Sequence, residues 1–216
     1  MTHSRQKPSA RVGRRPSTSK EELASVGIEL FVEFGFDETS IDDIAEAAGI
    51  ARRTFFRYFP SKNELAWGNF DEHLAGMRAS LEAIPEEVSL SEALTTALHE
   101  FNTFPDGENE RHRARMRLIL HTPALQGYSS LMYRGWRRVV AEFVARRIGA
   151  EPDDHIPRTC GHLLLGVALA AYESWLDEPD SDLHEFLAAG MRTLTAGLDY
   201  SDPKSLSALP EKAGPR

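Results

Sequence analysis

Three short segments with helical spacing, set close together near the N-terminus, constrain the fold of this chain most strongly. Apolar side chains recur every three to four residues from Ser19 until Gly35, which predicts a first helix that ends at a glycine cap. Ser40 and Asp43 form an acidic variant of the capping box, which opens a short second helix that ends at Gly49. Two short helices joined around a glycine are typical of a helix-turn-helix.

The third helix is basic and ends abruptly. It continues to Phe59, where Pro60 removes a backbone donor and stops it. Ser61 and Glu64 then give a further capping box, which predicts one long helix from Ser61 to about Ile84. The third helix is therefore bounded by Gly49 before it and Pro60 after it.

The two faces of the third helix differ in chemistry. Phe55 and Phe59 are four residues apart and point toward the first two helices, whereas the outer face carries hydrogen-bond donors and no acid. Such a face suits guanine edges and phosphates in a major groove, and helix starts with hydroxyl groups and a lysine suit phosphates. The candidate DNA-contacting residues are Thr39, Ser40, Arg52, Arg53, Thr54, Phe56, Arg57, Tyr58 and Lys62.

Strand patterns are absent from the sequence, and prolines divide its remainder into helices. These are predicted at 89–104, 108–122, 124–149, 153–177 and 182–198. An all-α fold of about nine helices follows, with a three-helix head joined to a larger helical domain. The predicted organisation is a flexible basic arm at 1–18, a helix-turn-helix domain at 19–62, an effector-binding and dimerisation domain at 63–200, and a disordered tail at 201–216.

The distribution of charge supports two roles in one chain. The 216 residues carry a formal charge of -8, which alone would repel nucleic acid. The first 62 residues, however, have a net charge of +1, and the remainder has -9. Cys160 is the single cysteine, no signal peptide is readable, and the run from Leu163 is too short to span a bilayer, so a cytoplasmic, nucleoid-associated protein without a membrane partner is expected.

The stretch TSIDDIAEAAGIARRTFFRYFPSKNEL, at residues 39–65, resembles the DNA-binding domain of the TetR family of bacterial regulators. The family's usual DNA-contacting positions fall on Thr39, Arg52, Arg53, Thr54, Phe56, Tyr58 and Lys62. Ala51 departs from the pattern, because a capping serine is common there and its loss costs about 1 kcal/mol of helix stability. Segments farther along, such as GVALAAYESWL, are similar to TetR-type regulators encoded beside mycofactocin biosynthesis genes.

This resemblance implies a function. The expected protein is a homodimeric repressor that binds a near-palindromic double-stranded operator and releases it when a small effector binds. It implies no cofactor and no metal. The family's pocket-lining helices would place the effector among Trp67, Phe70, Leu74, Phe101, Phe104, Arg115, Met116, Leu120, Tyr128, Met132 and Trp136.

Arginines on one helix suggest the chemistry of the effector. Arg111 and Arg115 are four residues apart, as are Arg113 and Arg117, and such paired forks suit phosphates or carboxylates. An amphipathic ligand such as an acyl-CoA would fit, with its tail inward. A solvated basic face is the alternative interpretation.

The penultimate helix is apolar nearly all round, so it must be covered on more than one side. The resemblance implies dimerisation through the last two helices, and a helix buried within one monomer is the alternative. The candidate interface residues are Leu165, Leu169, Tyr172, Trp175, Phe186, Met191 and Leu194.

Two other classes of protein were weighed against a DNA-binding regulator. His155, Cys160 and His162 suggest a metal or redox sensor, but their offsets place them on different sides of a helix, and a tetrahedral site needs convergent ligands. A helical interaction adaptor would leave the outer arginines without a role. Phosphate-binding glycine loops, nucleophile elbows and HExxH motifs are absent from the sequence, so no enzyme is predicted.

Overall fold

The structure is a computed structural model that describes residues 18–105 and 107–197. The described residues form helices and contain no strand, which confirms the predicted all-α class. The ten helices are α1 (Lys20–Phe34), α2 (Ile41–Ala47), α3 (Arg52–Tyr58), α4 (Lys62–Trp67), α5 (Phe70–Ala83), α6 (Leu90–Phe101), α7 (Asn109–His121), α8 (Pro123–Ile148), α9 (His155–Asp177) and α10 (Leu183–Ala196).

Helices α1 to α3 form a small head with its own hydrophobic core. Phe55 and Phe59 of the α3 segment are fully buried there, against side chains of α1 and α2 such as Leu23, Ile28 and Ile44. The rings of Phe55 and Phe59 lie 6.1 Å apart between centroids. Burial of two aromatic side chains on one face fixes which face of α3 is turned outward.

The predicted capping boxes are formed to different extents. The backbone N–H of Ser40 donates to the Asp43 carboxylate at 2.8 Å, and the Asp43 N–H donates to the Ser40 hydroxyl at 3.1 Å, so this box is complete. At the start of α4, the Glu64 N–H donates to the Ser61 hydroxyl at 3.2 Å, but the Glu64 carboxylate accepts from Tyr128 instead. The second box is therefore half-formed, because a tertiary contact takes its carboxylate.

The predicted long helix from Ser61 to Ile84 is wrong in one respect. Gly68 has a φ of 62°, which ends α4 at Trp67, and α5 begins two residues later at Phe70. A glycine adopts this left-handed region without the steric cost that a side chain brings. The break gives ten helices in the described residues, where nine were expected.

Helices α5 to α10 form the larger body. The long helices α8 and α9 lie at its centre, α10 packs on α9, and α5, α6 and α7 cover the other side. The observed bounds of α6 to α10 agree with the predicted helices to within a few residues. The body core is apolar and includes buried side chains from all six helices.

The head and the body are joined by apolar packing. Leu125, near the start of α8, is fully buried in the head core, and Leu118 of α7 packs against the same core. Leu65 of α4 is also fully buried there. The core of the head therefore includes residues far beyond the predicted domain border at residue 62.

Two predicted segments fall largely outside the described residues. The basic arm at 1–18 is described only at Thr18, and the tail at 201–216 is not described. No helix in the described part of the chain is long and apolar enough to cross a membrane.

A glycine in α9 provides a test of the central packing. A Cβ atom added at Gly161 would lie 2.9 Å from the backbone oxygen of Arg137 in α8, and this backbone has little room to move. We expect Gly161→Ala to lower the free energy of unfolding by about 1–3 kcal/mol, as overpacking does. Urea unfolding at fixed protein concentration measures this change.

Gly127→Ala in α8 is the matched control, since a Cβ atom there meets no other atom within 4 Å. It should raise the free energy of unfolding by up to about 1 kcal/mol, because alanine favours a helix. Equal effects of the two substitutions would contradict close α8–α9 packing at Gly161.

Candidate nucleic-acid interface and inner pocket

The outer face of α3 presents positive and aromatic side chains to solvent. Arg52, Arg53 and Arg57 are exposed, and Phe56 keeps 45% of its surface accessible. The helix starts at Ala51 without a side-chain cap, and Gly49 has a φ of 64° in the turn that precedes it. These side chains stand on a rigid element because the opposite face of α3 is fully buried.

One acid lies beside this face, although the sequence of α3 has none. Asp42 of α2 accepts from the Arg52 guanidinium at 2.6 Å, and both side chains are largely exposed. The Arg52 guanidinium also lies 5.4 Å from the centre of the Phe56 ring. An exposed ion pair contributes about 0–1 kcal/mol, so Arg52 can exchange this partner for a phosphate at low cost.

Two predicted DNA-contacting side chains serve the head itself. The Thr39 side chain is buried, and its hydroxyl donates to the Gly35 carbonyl at 2.7 Å. The Lys62 ammonium donates to the carbonyls of Phe36 at 2.7 Å and Thr39 at 3.1 Å. Both side chains therefore hold the turn between α1 and α2, which the sequence did not indicate.

Three of the remaining predicted DNA-contacting residues make hydrogen bonds within the head, and a fourth is half-buried. The Tyr58 hydroxyl donates to the Thr18 carbonyl at 2.5 Å, which fastens the start of the described chain to the end of α3. Arg57 donates to the Tyr58 hydroxyl at 3.2 Å. Ser40 is exposed but caps α2, and Thr54 is half-buried.

A cleft of about 490 Å³, lined by both charged and apolar side chains, opens between α1, α5, α6 and α7. It leads to a narrower, mainly apolar inner pocket of about 80 Å³ that reaches α4, α8 and α9. The two cavities share five lining residues, and the cleft also carries four carboxylates at its mouth. The shared residues are His73, Phe101, Phe104, His112 and Arg115, and the carboxylates are Glu21, Glu72, Glu100 and Glu108.

Most of the predicted effector residues line the inner pocket, namely Trp67, Phe70, Phe101, Phe104, Arg115, Met116 and Trp136. The other four, Leu74, Leu120, Tyr128 and Met132, pack into or against the body core instead. The Tyr128 hydroxyl donates to Glu64 at 3.2 Å, and burial, together with the Glu64 charge, raises the pKa of Tyr128 to about 12.

A buried hydrogen-bond chain crosses the pocket. The Asn102 amide donates to the Leu98 carbonyl at 2.7 Å, so its oxygen accepts from the Tyr172 hydroxyl at 2.6 Å. The Tyr172 oxygen lies 2.8 Å from His112 Nε2 and must accept from it. The neutral His112 ring therefore carries its proton on Nε2. Burial lowers the pKa of His112 to about 3, with a smaller contribution from Arg115.

The four arginines of α7 divide into two pairs with different roles. Arg113 stacks on the Trp175 ring, 3.9 Å from its centre, and donates to the Trp175 and Glu178 carbonyls, while Arg117 donates to the Leu176 carbonyl. These two therefore cap the C-terminal end of α9. Arg111 and Arg115 instead line the cleft.

The predicted dimer residues are mostly covered by their own chain. Leu165, Tyr172, Trp175 and Met191 are buried in the body core, and Leu165 and Tyr172 line the inner pocket. The other three, Leu169, Phe186 and Leu194, are half-buried against that core. In the single chain, this face of α9 is therefore covered by the protein's own helices.

The comparisons with known proteins agree with this architecture. The family model for bacterial regulatory proteins of the tetR family matches residues 23–66. The model described as the MftR C-terminal domain matches residues 88–199. A Mycobacterium tuberculosis (H37Rv) protein named as a mycofactocin biosynthesis transcriptional regulator, MftR, is 52% identical over 190 residues, which cover 88% of this chain and 96% of that protein.

The chain belongs to the TetR family of transcriptional regulators. Its resemblance to the mycofactocin-cluster type is confirmed by the same matches. The regulator TcmR of Streptomyces glaucescens is 29% identical over 82% of this chain and 81% of its own. FadR of Thermus thermophilus, crystallised with lauroyl-CoA, has the same fold with a TM-score of 0.56 at 24% identity, covering 83% of this chain and 95% of that chain.

Membership of the TetR family makes the chain a transcriptional regulator and not an enzyme. The residues considered for a metal or redox sensor, His155, Cys160 and His162, lie along α9, with both histidines exposed. Among the residues that the structure describes, no group of three or more His, Cys, Asp or Glu side chains is placed to hold a metal ion.

Several pocket residues escaped the sequence interpretation. His112 and Ile119 share one face of α7 with the predicted Arg115 and Met116, and this spacing of three and four residues could have indicated them. His73, Tyr133 and Ala168 carry no such local signal, because their helices meet only in the tertiary structure.

The buried His112 predicts that acid destabilises this TetR-family fold. Its pKa in the folded state lies below the ordinary value of 6.5, so its contribution to stability is complete above that pH and is lost as the pH falls toward 3. Between about pH 7 and about pH 5, the free energy of unfolding should fall by about 2 kcal/mol on this account. Denaturant unfolding at the two pH values measures this loss.

His112→Gln should remove most of this difference, because glutamine does not titrate. His155→Gln, at an exposed site, is the matched control and should keep the wild-type difference. Some dependence should persist in both variants, since burial also lowers the pKa values of His73 and His184. An unchanged pH dependence in His112→Gln would contradict this role of His112.

Proposed function

We propose that this protein is a homodimeric repressor that binds a near-palindromic operator through α3 and releases it when an amphipathic ligand enters the inner pocket. The observation that carries the proposal is the exposed face of Arg52, Arg53, Phe56 and Arg57, held on a helix whose other face is fully buried. Arginine recognises guanine edges and phosphates, and an exposed aromatic ring meets thymine methyl groups. Thr39 and Lys62 act here by supporting the head.

We expect a dimer because the proposed operator has two half-sites and because the outer face of α9 is apolar and exposed. Two recognition helices that read half-sites about one turn apart require a two-fold partner. The exposed apolar side chains of α9 include Ile156 and Leu163, at 57% and 48% accessible, and Gly166 and Ala170 continue the same face. These small residues allow close helix approach, so this face, rather than the buried one, is the proposed interface.

Coupling between the pocket and the DNA runs through α4 and α7. Trp67 at the end of α4 lines the inner pocket, and Leu65, two residues earlier and on the opposite face, lies in the head core. Helix α7 likewise gives Met116 to the pocket and Leu118 to the head core. A ligand that changes the position of α4 relative to α7 therefore changes the position of the head, and a coupling of about 1–3 kcal/mol reduces operator affinity several-fold to a hundredfold.

The proposed effector is an acyl-CoA or a related acyl conjugate. The inner pocket is mainly apolar, and its volume of about 80 Å³ has to widen on binding to enclose an acyl chain. Arg111 and Arg115 at the cleft suit a phosphate or carboxylate. Two proteins of the same fold were crystallised with lauroyl-CoA and stearoyl-CoA, respectively. The four carboxylates at the mouth oppose anions elsewhere in the cleft, so these two arginines are the expected anchor points.

The 52% identical relative named for mycofactocin biosynthesis suggests the target genes. We propose that the operator lies upstream of genes for mycofactocin biosynthesis, and that the protein acts on DNA in the cytoplasm.

Arg53→Ala should weaken operator binding by about 5- to 150-fold, which corresponds to about 1–3 kcal/mol for a lost base contact. Arg53 is exposed and is not part of the head core, so the variant should fold normally. Fluorescence anisotropy on the protein's own upstream DNA measures the affinity. Arg146→Ala, an exposed arginine of α8, is the control and should bind as tightly as the wild type. Equal binding by both variants would refute α3 as the reading helix.

Leu163→Glu should convert the dimer into monomers, because it places charge on the proposed interface. Size-exclusion chromatography with light scattering measures the mass. Leu131→Glu in α8 is the matched control, since Leu131 is equally exposed, at 50%. A dimeric Leu163→Glu variant would move the interface elsewhere.

A further inference from the structure

Three buried polar atoms belong to side chains that meet where α4 gives way to α5. Trp67 Nε1 and Arg115 Nε have no hydrogen-bond partner among the described residues, and the Tyr133 hydroxyl has only Ser129 close by, without a hydrogen bond of good geometry. All three side chains line the inner pocket. Asn69 Oδ1, an acceptor at the start of α5, is also buried and unpaired within the described part of the chain but does not line the pocket. Trp67 keeps only 7% of its surface accessible, so water does not reach most of this side chain.

The three side chains are close neighbours in space. The rings of Trp67 and Tyr133 meet edge to face with centroids 5.4 Å apart. The Arg115 guanidinium lies against the break itself, 3.5 Å from the position that a Cβ atom on Gly68 would occupy. Gly68 directly follows Trp67, so the guanidinium and the indole flank the same turn.

The chemistry of these atoms defines what they can bind. An indole N–H and a guanidinium N–H are donors only, and a tyrosine hydroxyl can donate as well. Buried donors without an acceptor are unfavourable, so a ligand oxygen that accepts from them gains more than it would at an exposed site. The guanidinium adds a preference for negative charge. The described residues place no carboxylate within 4 Å of Arg115 to satisfy that preference internally.

We propose that the effector places its acyl carbonyl or carboxylate oxygen against Trp67 Nε1 and Arg115 Nε, with Tyr133 as a further donor, directly beneath the α4–α5 break. This inference rests on the proposed function and identifies the group of the ligand that is recognised. The apolar chain then extends along Met116, Ile119 and Leu165. A thioester and a free fatty acid share this oxygen chemistry.

In this arrangement the polar head group of the ligand, and not its apolar chain, controls the position of α4 relative to α7. Trp67 is the last residue of α4, and Arg115 belongs to α7. An oxygen that accepts from both fixes α4 relative to α7 at the turn that Gly68 allows. A hydrocarbon chain alone fills the pocket without making that link.

The test compares three ligands of equal chain length with the full-length protein: decanoyl-CoA, decanoate and 1-decanol. We expect Trp67→Phe, which removes the donor and keeps an aromatic ring, to weaken binding of the two acyl ligands about tenfold. Binding of the alcohol should change by less than about threefold, since its hydroxyl can donate to other partners instead of accepting from these donors and its affinity depends mainly on the chain. Isothermal titration calorimetry measures all three affinities.

Two further variants keep the test decisive. Phe70→Leu alters the same pocket wall without removing a donor, so it should weaken all three ligands by a similar factor. Arg115→Met removes a buried charge and should abolish the preference for decanoate over decanol, whether or not Trp67→Phe folds. A preference for acyl ligands that survives in both Trp67→Phe and Arg115→Met overturns the proposal.

A direct readout separates this proposal from the proposed function. The chain has three tryptophans, so the indole N–H signal of Trp67 can be assigned by NMR from its absence in Trp67→Phe. Decanoate and decanoyl-CoA should shift this signal strongly, and decanol should shift it less. If an acyl ligand releases the operator but leaves the Trp67 signal unmoved, the donor cluster is not the head-group site and the repressor function stands. If the wild type binds none of the three ligands, both the effector class and this site are refuted.

Discussion

The apolar joint between the head and the body is the interaction on which the rest of this structure depends. Leu65 and Leu125 are fully buried in the head core, although they come from α4 and α8. Burying such side chains stabilises each by about 1.5–3 kcal/mol relative to exposure, so the head is not free to turn independently of the body. In the proposed mechanism, a change in the body that shifts α4 or the start of α8 reaches α3 through this joint.

The same joint explains why α7 matters to both halves. One face of α7 supplies Met116 and Arg115 to the pocket, and Leu118, two residues after Met116, packs against the head. Arg113 and Arg117 fasten this helix to the C-terminal end of α9. The helix is thus held at its outer side, so that a ligand acts on it mainly from the pocket side.

Much of this architecture could be predicted from the sequence, for local reasons. Helix bounds follow from periodicity, caps and prolines, which are properties of neighbouring residues, and the burial of Phe55 and Phe59 follows from their spacing. The break at Gly68 was missed because the pattern of apolar residues continues across it. The internal roles of Thr39 and Lys62 were missed because each depends on a backbone carbonyl supplied by the folded turn.

The sequence by itself determined the helical class, the position of the recognition helix and its basic outer face, because each depends on residues within one or two turns of each other. The tertiary structure alone decided which side of α9 is buried and which is free, since an apolar helix leaves both options open until α8 and α10 pack on it. It also decided which arginines of α7 are available to a ligand. Arg113 and Arg117 meet the end of a helix about sixty residues away, and only folding brings these groups together.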